Sequence, residues 1–189
     1  MLTGRAVILR EIRRTDLEVI HREINADVAT GVLANADPWV PPLLARREAR
    51  FDRALTEPED ERRVMFAVCL RSDEERTLVG TVGLWGVDLH NGIAHIGLTL
   101  APSVRGQGLG TDALRVICYY GFVVRNLHRL GLETLARNVP MQRAALSAGF
   151  VEEGRVRESA YVLGERDDDV FYGLLRSEWQ DDGSVAPAR

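Results

Sequence analysis

Residues 93–118 read IAHIGLTLAPSVRGQGLGTDALRVIC. Ile93–Leu100 alternates like a strand, with Ile96, Leu98 and Leu100 on one face. A short loop leads to Arg105-Gly106-Gln107-Gly108-Leu109-Gly110, and an apolar helix starts without a linker. Glycines at alternate positions let the backbone approach a ligand closely and turn its N–H groups inward. The helix start brings free N–H groups and the positive end of the helix dipole to the same place. Arg105 adds a fixed positive charge, so this run suits a phosphorylated ligand. A P-loop is excluded, because Gly110 is followed by Thr111-Asp112 where Lys-Ser/Thr is needed. A dinucleotide fingerprint is excluded too, because its third glycine position, counted from Gly106 and Gly108, is Thr111.

Outward from this run the pattern is mixed α and β without internal repeats. On the N-terminal side, Arg5–Arg10 reads as a strand, and Thr15 as the N-cap of a helix carrying Leu17, Ile20 and Ile24. Residues 31–45, with Pro38-Trp39-Val40-Pro41-Pro42, are expected to be irregular, and 46–57 to form a polar helix. Strands are expected at Val64–Leu70, Leu78–Val87 and Ile93–Leu100, the last two joined by the turn at 88–92. The helix from Leu109 to about Val124 is apolar nearly all round and is expected to be central. Arg129–Ala136 reads as a strand, Pro140 opens a short helix, and Gly149 stops it. Phe150–Leu163, interrupted at Gly154, and Val170–Arg176 complete a single domain over 1–180, with 181–189 expected to be a disordered polar tail.

The bulk properties fit a small cytoplasmic enzyme. The chain of 189 residues suits one domain. Its net charge of −4, with acids and bases interspersed, argues against a nucleic-acid partner. The N-terminal apolar run is too short for a signal peptide, and no segment approaches a membrane span. Cys69 and Cys118 lack metal-ligand spacing and read as buried thiols of a reducing compartment; no metal is expected.

These features together resemble the GNAT acyltransferases over nearly the whole chain. Arg105-Gly106-Gln107-Gly108-Leu109-Gly110 resembles the family's pyrophosphate-binding motif, Arg/Gln-x-x-Gly-x-Gly/Ala. Asn138, followed by a helix ending Ala148-Gly149-Phe150, resembles its Asn-x(n)-Gly-Phe segment. The segment 153–157, Asp169, Tyr172-Gly173-Leu174-Leu175 and Glu178-Trp179 resemble the RimJ/RimL-type branch, which acetylates protein N-terminal amines and has relatives acting on small amines. The implied fold is α/β (α+β), a mixed, mostly antiparallel central sheet of about seven strands flanked by about four helices. The implied function is N-acyl transfer, with acetyl-CoA as acyl donor and a primary amine as acceptor; other acyl-CoA thioesters, succinyl-CoA included, stay open.

The resemblance also implies a set of site residues. In this family the strand before the loop splays from its neighbour, which makes the backbones of Leu98 and Leu100 the contacts for pantetheine and the thioester carbonyl. The N–H groups of Arg105, Gly106, Gln107, Gly108, Leu109 and Gly110 are expected to wrap the pyrophosphate, with Thr111 adding a hydroxyl. Asn138 matches the residue that meets the pantetheine arm from the other side, and fits equally as a polar helix cap. Arg143, a turn into that helix, is placed to reach the adenosine phosphates, and fits equally as a solvated arginine. The family's usual acid, a tyrosine before Gly-Phe, is Ala145 here, and the branch's early serine is Met141, with Ser147 one turn away.

For the base, His95 matches a position where relatives carry a glutamate, and an imidazole titrates near neutral pH. Glu11, acting through an ordered water, is a second candidate; Asp88 and Glu158 follow. An α-amine, with a pKa of about 7.7–8.0, is far more often neutral at pH 7 than a lysine amine near 10.4, so a site without a strong base suits it better. Trp39 and Trp85 are candidates to line the acceptor cleft, with residues 31–45 as a lid. The resemblance also makes a homodimer plausible. The competing reading is a non-catalytic CoA-binding sensor or interaction module, which the missing tyrosine and serine favour.

Overall fold

The computed structural model describes residues 1–35, 39–57 and 60–187. A nine-stranded sheet runs in the order β7-β8-β6-β5-β4-β3-β2-β1-β9. Its strands are β1 (Leu2–Thr3), β2 (Val7–Arg10), β3 (Val64–Leu70), β4 (Leu78–Asp88), β5 (Ile93–Leu100), β6 (Arg129–Leu135), β7 (Val151–Val162), β8 (Glu165–Leu175) and β9 (Ala186–Pro187). Every neighbouring pair is antiparallel except β5–β6. That exception follows from connectivity, because parallel neighbours need a crossover and the long helix after the glycine loop supplies it.

The helices are α1 (Asp16–Val19), α2 (Val28–Asn35), α3 (Leu44–Ala54), α4 (Leu109–Tyr119) and α5 (Val139–Ser147). α1 and α4 run on without a break into wider π-type turns, at Ile20–Asn25 and Tyr120–Val124. α4 is the central helix, with Leu114, Val116, Ile117, Cys118 and, beyond it, Phe122 all at 0% exposure. They pack with Val82, Leu84, Ile96, Leu130 and Leu174 of the sheet. Ile20 and Ile24 pack against Ala67, Cys69 and Leu78 in a second cluster. Val32 of α2 joins Leu135, Ala160 and Val162 in a third.

Two buried carboxylates tie distant parts of the chain together. Asp112, in the first turn of α4, accepts the backbone N–H groups of Arg5 at 3.2 Å, Ala6 at 2.7 Å and Val7 at 2.9 Å. It anchors the glycine-loop helix to the start of β2. Asp16 meets the Arg10 guanidinium through two bonds of 2.7 and 2.8 Å, and the Arg13 N–H at 2.7 Å. Burial pushes the Asp16 carboxyl upward, but Arg10 and the Arg13 N–H together hold it below the usual carboxylate range.

Several expectations need correction. The mixed, mostly antiparallel sheet with flanking helices is as expected, and only its count is refined: nine strands, two of them of two residues, and five helices among the described residues. Thr15 is no side-chain cap: its backbone is already helical, and the Asp16 carboxylate takes the nearby N–H. Residues 31–35 are helical in α2, and 36–38, including Pro38, lie outside the described residues. β7 continues through Gly154 by shifting register there and again between Val156 and Ala160. Parts of the segment 179–187 contact the rest of the domain. Ala186–Pro187 pairs with β1, Asp182 bonds Arg5 at 2.8 Å, and Trp179 lies 5.4 Å from the Phe122 ring. Residues 188–189 lie outside the described residues.

Candidate active site

Geometry at the end of β5 follows from its ladder with β4. The Ala101 N–H donates to Val79 O at 2.9 Å, and the register pairs Leu100 with Gly80 and Leu98 with Val82. Alternate residues of an antiparallel strand face the neighbour, so the N–H and C=O groups of Leu98 and Leu100 face away from β4, towards β6. There the β5–β6 register covers only Ile93–His95 with Arg129–Gly131. Beyond His95 the two strands part, and Leu98 presents both its backbone groups to the gap. The leucine side chains turn instead to the core face, where a Cβ on Gly110 would lie 3.7 Å from Leu98 and 3.8 Å from Leu100.

The glycine loop closes one end of this gap. Gly106 and Gly108 hold φ of +76° and +79°, and a Cβ on either would meet nothing within 4 Å. Among the described residues, the backbone N–H groups of residues 106–111 find no protein acceptor, and the first intrahelical bond runs from Asp112 N–H to Gly108 O at 3.2 Å. Six free donors around an open cradle at a helix start fit a pyrophosphate. Arg105 behaves differently from expectation. Its N–H points to Pro102 O at 3.4 Å, and its guanidinium bonds Leu100 O and Thr30 instead of lining the cradle. Leu100 O is thereby engaged, which leaves Leu98 as the freer of the two leucines. Asn138 makes no side-chain cap; its Nδ2 donates to Thr134 Oγ1 at 3.1 Å. Arg143 is exposed on α5, Ala145 is buried at 0% and Met141 is half-buried.

The sheet face opposite α4 carries the titratable groups. The His95 ring stacks on Trp85 with centroids 4.6 Å apart, and a Cβ on Gly131 would lie 3.2 Å from His95 Nδ1. Glycine at 131 thus makes the bed on which the imidazole lies. A cavity of about 80 Å³ borders His95, Gly131, Arg129, Glu153 and Phe171. Glu153 is not free there: the Arg129 guanidinium grips both its oxygens and holds its carboxyl below the usual range. Glu133, two residues beyond Gly131 and so on the same face, is exposed and makes no ion pair among the described residues.

Sequence reasoning missed Glu133. The signal was the alternation of β6, which puts 129, 131 and 133 on one side. Glu11 does not converge on this site. It lies beyond the end of β2, with β3 and β4 intervening, about 14 Å away at about 4.8 Å per strand, and it pairs with Arg13 at 3.6 Å. The Asp88 carboxylate caps its own turn, accepting from Asn91 and His90. Trp39 packs on Gly31 and donates Nε1–H to Asn25 O at 3.0 Å, so of the two tryptophans Trp85 is the one beside His95. No group of three or more metal-ligating side chains occurs among the described residues, and no described helix is long and apolar enough to cross a membrane.

Comparison with known proteins bears on this arrangement. The family model for the acetyltransferase (GNAT) domain matches residues 6–151. YdaF of Bacillus subtilis (strain 168) is 34% identical over 104 residues, 55% of this chain and 57% of that protein. The ribosomal-protein-serine acetyltransferase of Escherichia coli (strain K12) is 26% identical over 102 residues, 54% of this chain and 57% of that protein. The chain thus spans less than two thirds of the length of these two relatives. A crystal structure of spermidine N-acetyltransferase from Vibrio cholerae, in complex with CoA and spermine, superposes with a TM-score of 0.80 at 23% identity, covering 91% of this chain and 96% of that one. The mixed sheet, the parting of β5 from β6 beside a glycine loop, and a family model matching most of the chain agree: this chain belongs to the GNAT acetyltransferase family.

Proposed function

We propose that this chain acetylates a primary amine with acetyl-CoA as donor. One observation carries the reading: the unpaired Leu98 backbone opens into the β5–β6 gap beside six free loop N–H groups at 106–111. Acetyl-CoA supplies a thioester that is already activated, so the protein's task is to position it, polarise its carbonyl and accept a proton. The loop N–H groups of Gly106, Gln107, Gly108, Leu109, Gly110 and Thr111 hold the pyrophosphate. Leu98 N–H points at the carbonyl oxygen, where negative charge develops. His95 takes the proton of the attacking amine, and Glu133 on the same face attracts the acceptor's positive charge. Ala145 and Met141 offer no proton donor, which leaves the departing thiolate to water.

The acceptor is a primary amine of modest basicity, such as an N-terminal α-amine, which one imidazole deprotonates more readily than a lysine amine. The free buried thiols Cys69 and Cys118 support a cytoplasmic setting. The unpaired outer edge of β7 leaves room for a second copy, and light scattering tests the homodimer.

Thermal stabilisation by acetyl-CoA, succinyl-CoA, CoA and ATP, measured in parallel, tests the binding part of the reading. A ligand of the folded state raises Tm according to its affinity. A rise with the CoA compounds and none with ATP is expected, with the preferred thioester naming the acyl group. Binding without turnover of an N-terminal dipeptide or spermidine would favour the CoA-binding module instead. In the active enzyme, His95→Ala is expected to lower kcat by about 100-fold and flatten the acid limb of the pH–rate profile. An unchanged profile would make His95 a packing residue on Trp85.

A further inference from the structure

The side chain of Arg105 leaves the cradle and crosses to the other face of the sheet. Its Nε and Nη2 donate to Leu100 O at 3.0 and 2.9 Å, and Nη2 also reaches Thr30 Oγ1 at 2.7 Å. Thr30, on α2, is 2% exposed. Its N–H donates to Asp27 Oδ2 at 2.7 Å, and its hydroxyl donates to the same oxygen. The hydroxyl is therefore committed as a donor to Asp27 and as an acceptor to Arg105, with its direction fixed. The second anchor of α2 is apolar and lies across the gap, where Val32 packs with Leu135 of β6 and with Ala160 and Val162 of β7. α2 thus bridges the two strands that part, held to the β5 side by Arg105 and to the β6 side by Val32.

We propose that Arg105 is a positioning residue that couples the acyl-CoA loop to α2 through Thr30, so that binding of the thioester donor fixes the wall of the acceptor cleft. The inference rests on the acyl-CoA reading of the loop. The backbone of Arg105 opens the motif that wraps the ligand, so ordering that backbone orders the root of the side chain. Leu100 O, held by the same guanidinium, ends the strand that lines the gap. Filling the gap therefore bears on both ends of the strut at once. The strut already places α2, and the bound donor stiffens it, so the wall of the acceptor cleft is fixed most firmly when the thioester is in place.

Hydrogen–deuterium exchange on the full chain, with CoA as the probe, tests this. In the wild type, CoA is expected to slow exchange at residues 105–111 and, by about fivefold or more, at 28–35 of α2. Thr30→Val keeps the volume and removes the hydroxyl; it is expected to keep the loop response and lose the α2 response. Thr30→Ser restores the hydroxyl and is expected to restore the coupling. Arg105→Met is expected to abolish the α2 response from the other end, and the double variant R105M/T30V to do no more than T30V alone. Should T30V fail to fold, R105M beside T30S carries the same comparison. Loop protection without α2 protection in the wild type overturns the coupling alone, as does an α2 response that survives in T30V. Absence of any loop protection overturns the acyl-CoA reading, and the coupling with it.

Discussion

Gly108→Val is expected to abolish thermal stabilisation by acetyl-CoA while leaving the protein folded. Gly108 sits at φ +79°, where a β-branched residue is strained by about 1–3 kcal/mol, a cost the whole domain can absorb. The larger effect is on the ligand. A Cβ at 108 meets no protein atom within 4 Å, so the added side chain occupies open space at the loop whose N–H groups form the cradle. It would stand where the pyrophosphate must lie, and re-aim the flanking N–H groups. An affinity loss of about 100-fold or more, equivalent to about 2.8 kcal/mol, is the expected scale. Gly164→Val separates strain from binding. Gly164 has a similar φ of +93° and equally open surroundings, but it lies in the β7–β8 turn. Both variants should lose similar intrinsic stability, and only G108V should lose the acetyl-CoA response. Retained affinity in G108V would remove the loop from the binding site.

The largest stability effect is expected from Asp112→Ala. Three backbone N–H groups converge on that carboxylate, which is 5% exposed. Hydrogen bonds to a charged group contribute about 1.5–3 kcal/mol each, and their removal leaves buried donors without partners. Allowing for partial relaxation and access of water to Arg5, a loss of about 3–5 kcal/mol is expected. For a domain of this length that corresponds to a fall in Tm of about 6–20 °C. Chemical denaturation should show the loss in the midpoint. Asp112→Asn keeps an acceptor but loses the charge, and should fall between the two. The consequence reaches the site, because this clamp sets where α4 begins. Acetyl-CoA affinity in D112A should therefore drop further than mild destabilisation alone would produce. A variant with unchanged Tm would show that the clamp is dispensable.

Some of this architecture was legible because its signals are local. The glycine spacing at 106–110, the alternation of Ile93–Leu100 and the apolar surface of the following helix need no knowledge of the rest of the chain. β3 and β5 accordingly begin and end where their patterns do. What was not legible depends on distant partners. Nothing around Asp112 announces that it will bind residues 5–7, and Arg105 gives no sign that its charge will turn from the loop to Thr30. Glu11 looked like a neighbour of the site until the strand order put two strands in between. Glu133 was overlooked for the opposite reason. Its strand was read correctly, but which face mattered depended on His95 lying against Gly131. Short elements also hide: α2 contains a glycine, and two-residue strands have no period to detect.

The pairing of β1 with β9 gives the fold a schedule. Leu2–Thr3 leaves the ribosome about 180 residues before Ala186–Pro187, yet among the described residues that segment is what satisfies the outer edge of the strand. At about 5–20 residues per second, roughly 10–40 s separate the two on a ribosome. During that interval the edge of β1 stays open and Trp179 is not yet laid beside Tyr119 and Phe122. An edge of two residues is a poor template for mispairing with another chain. The brevity that hides these strands from a reader of the sequence thus also guards the nascent protein while it waits for Ala186–Pro187.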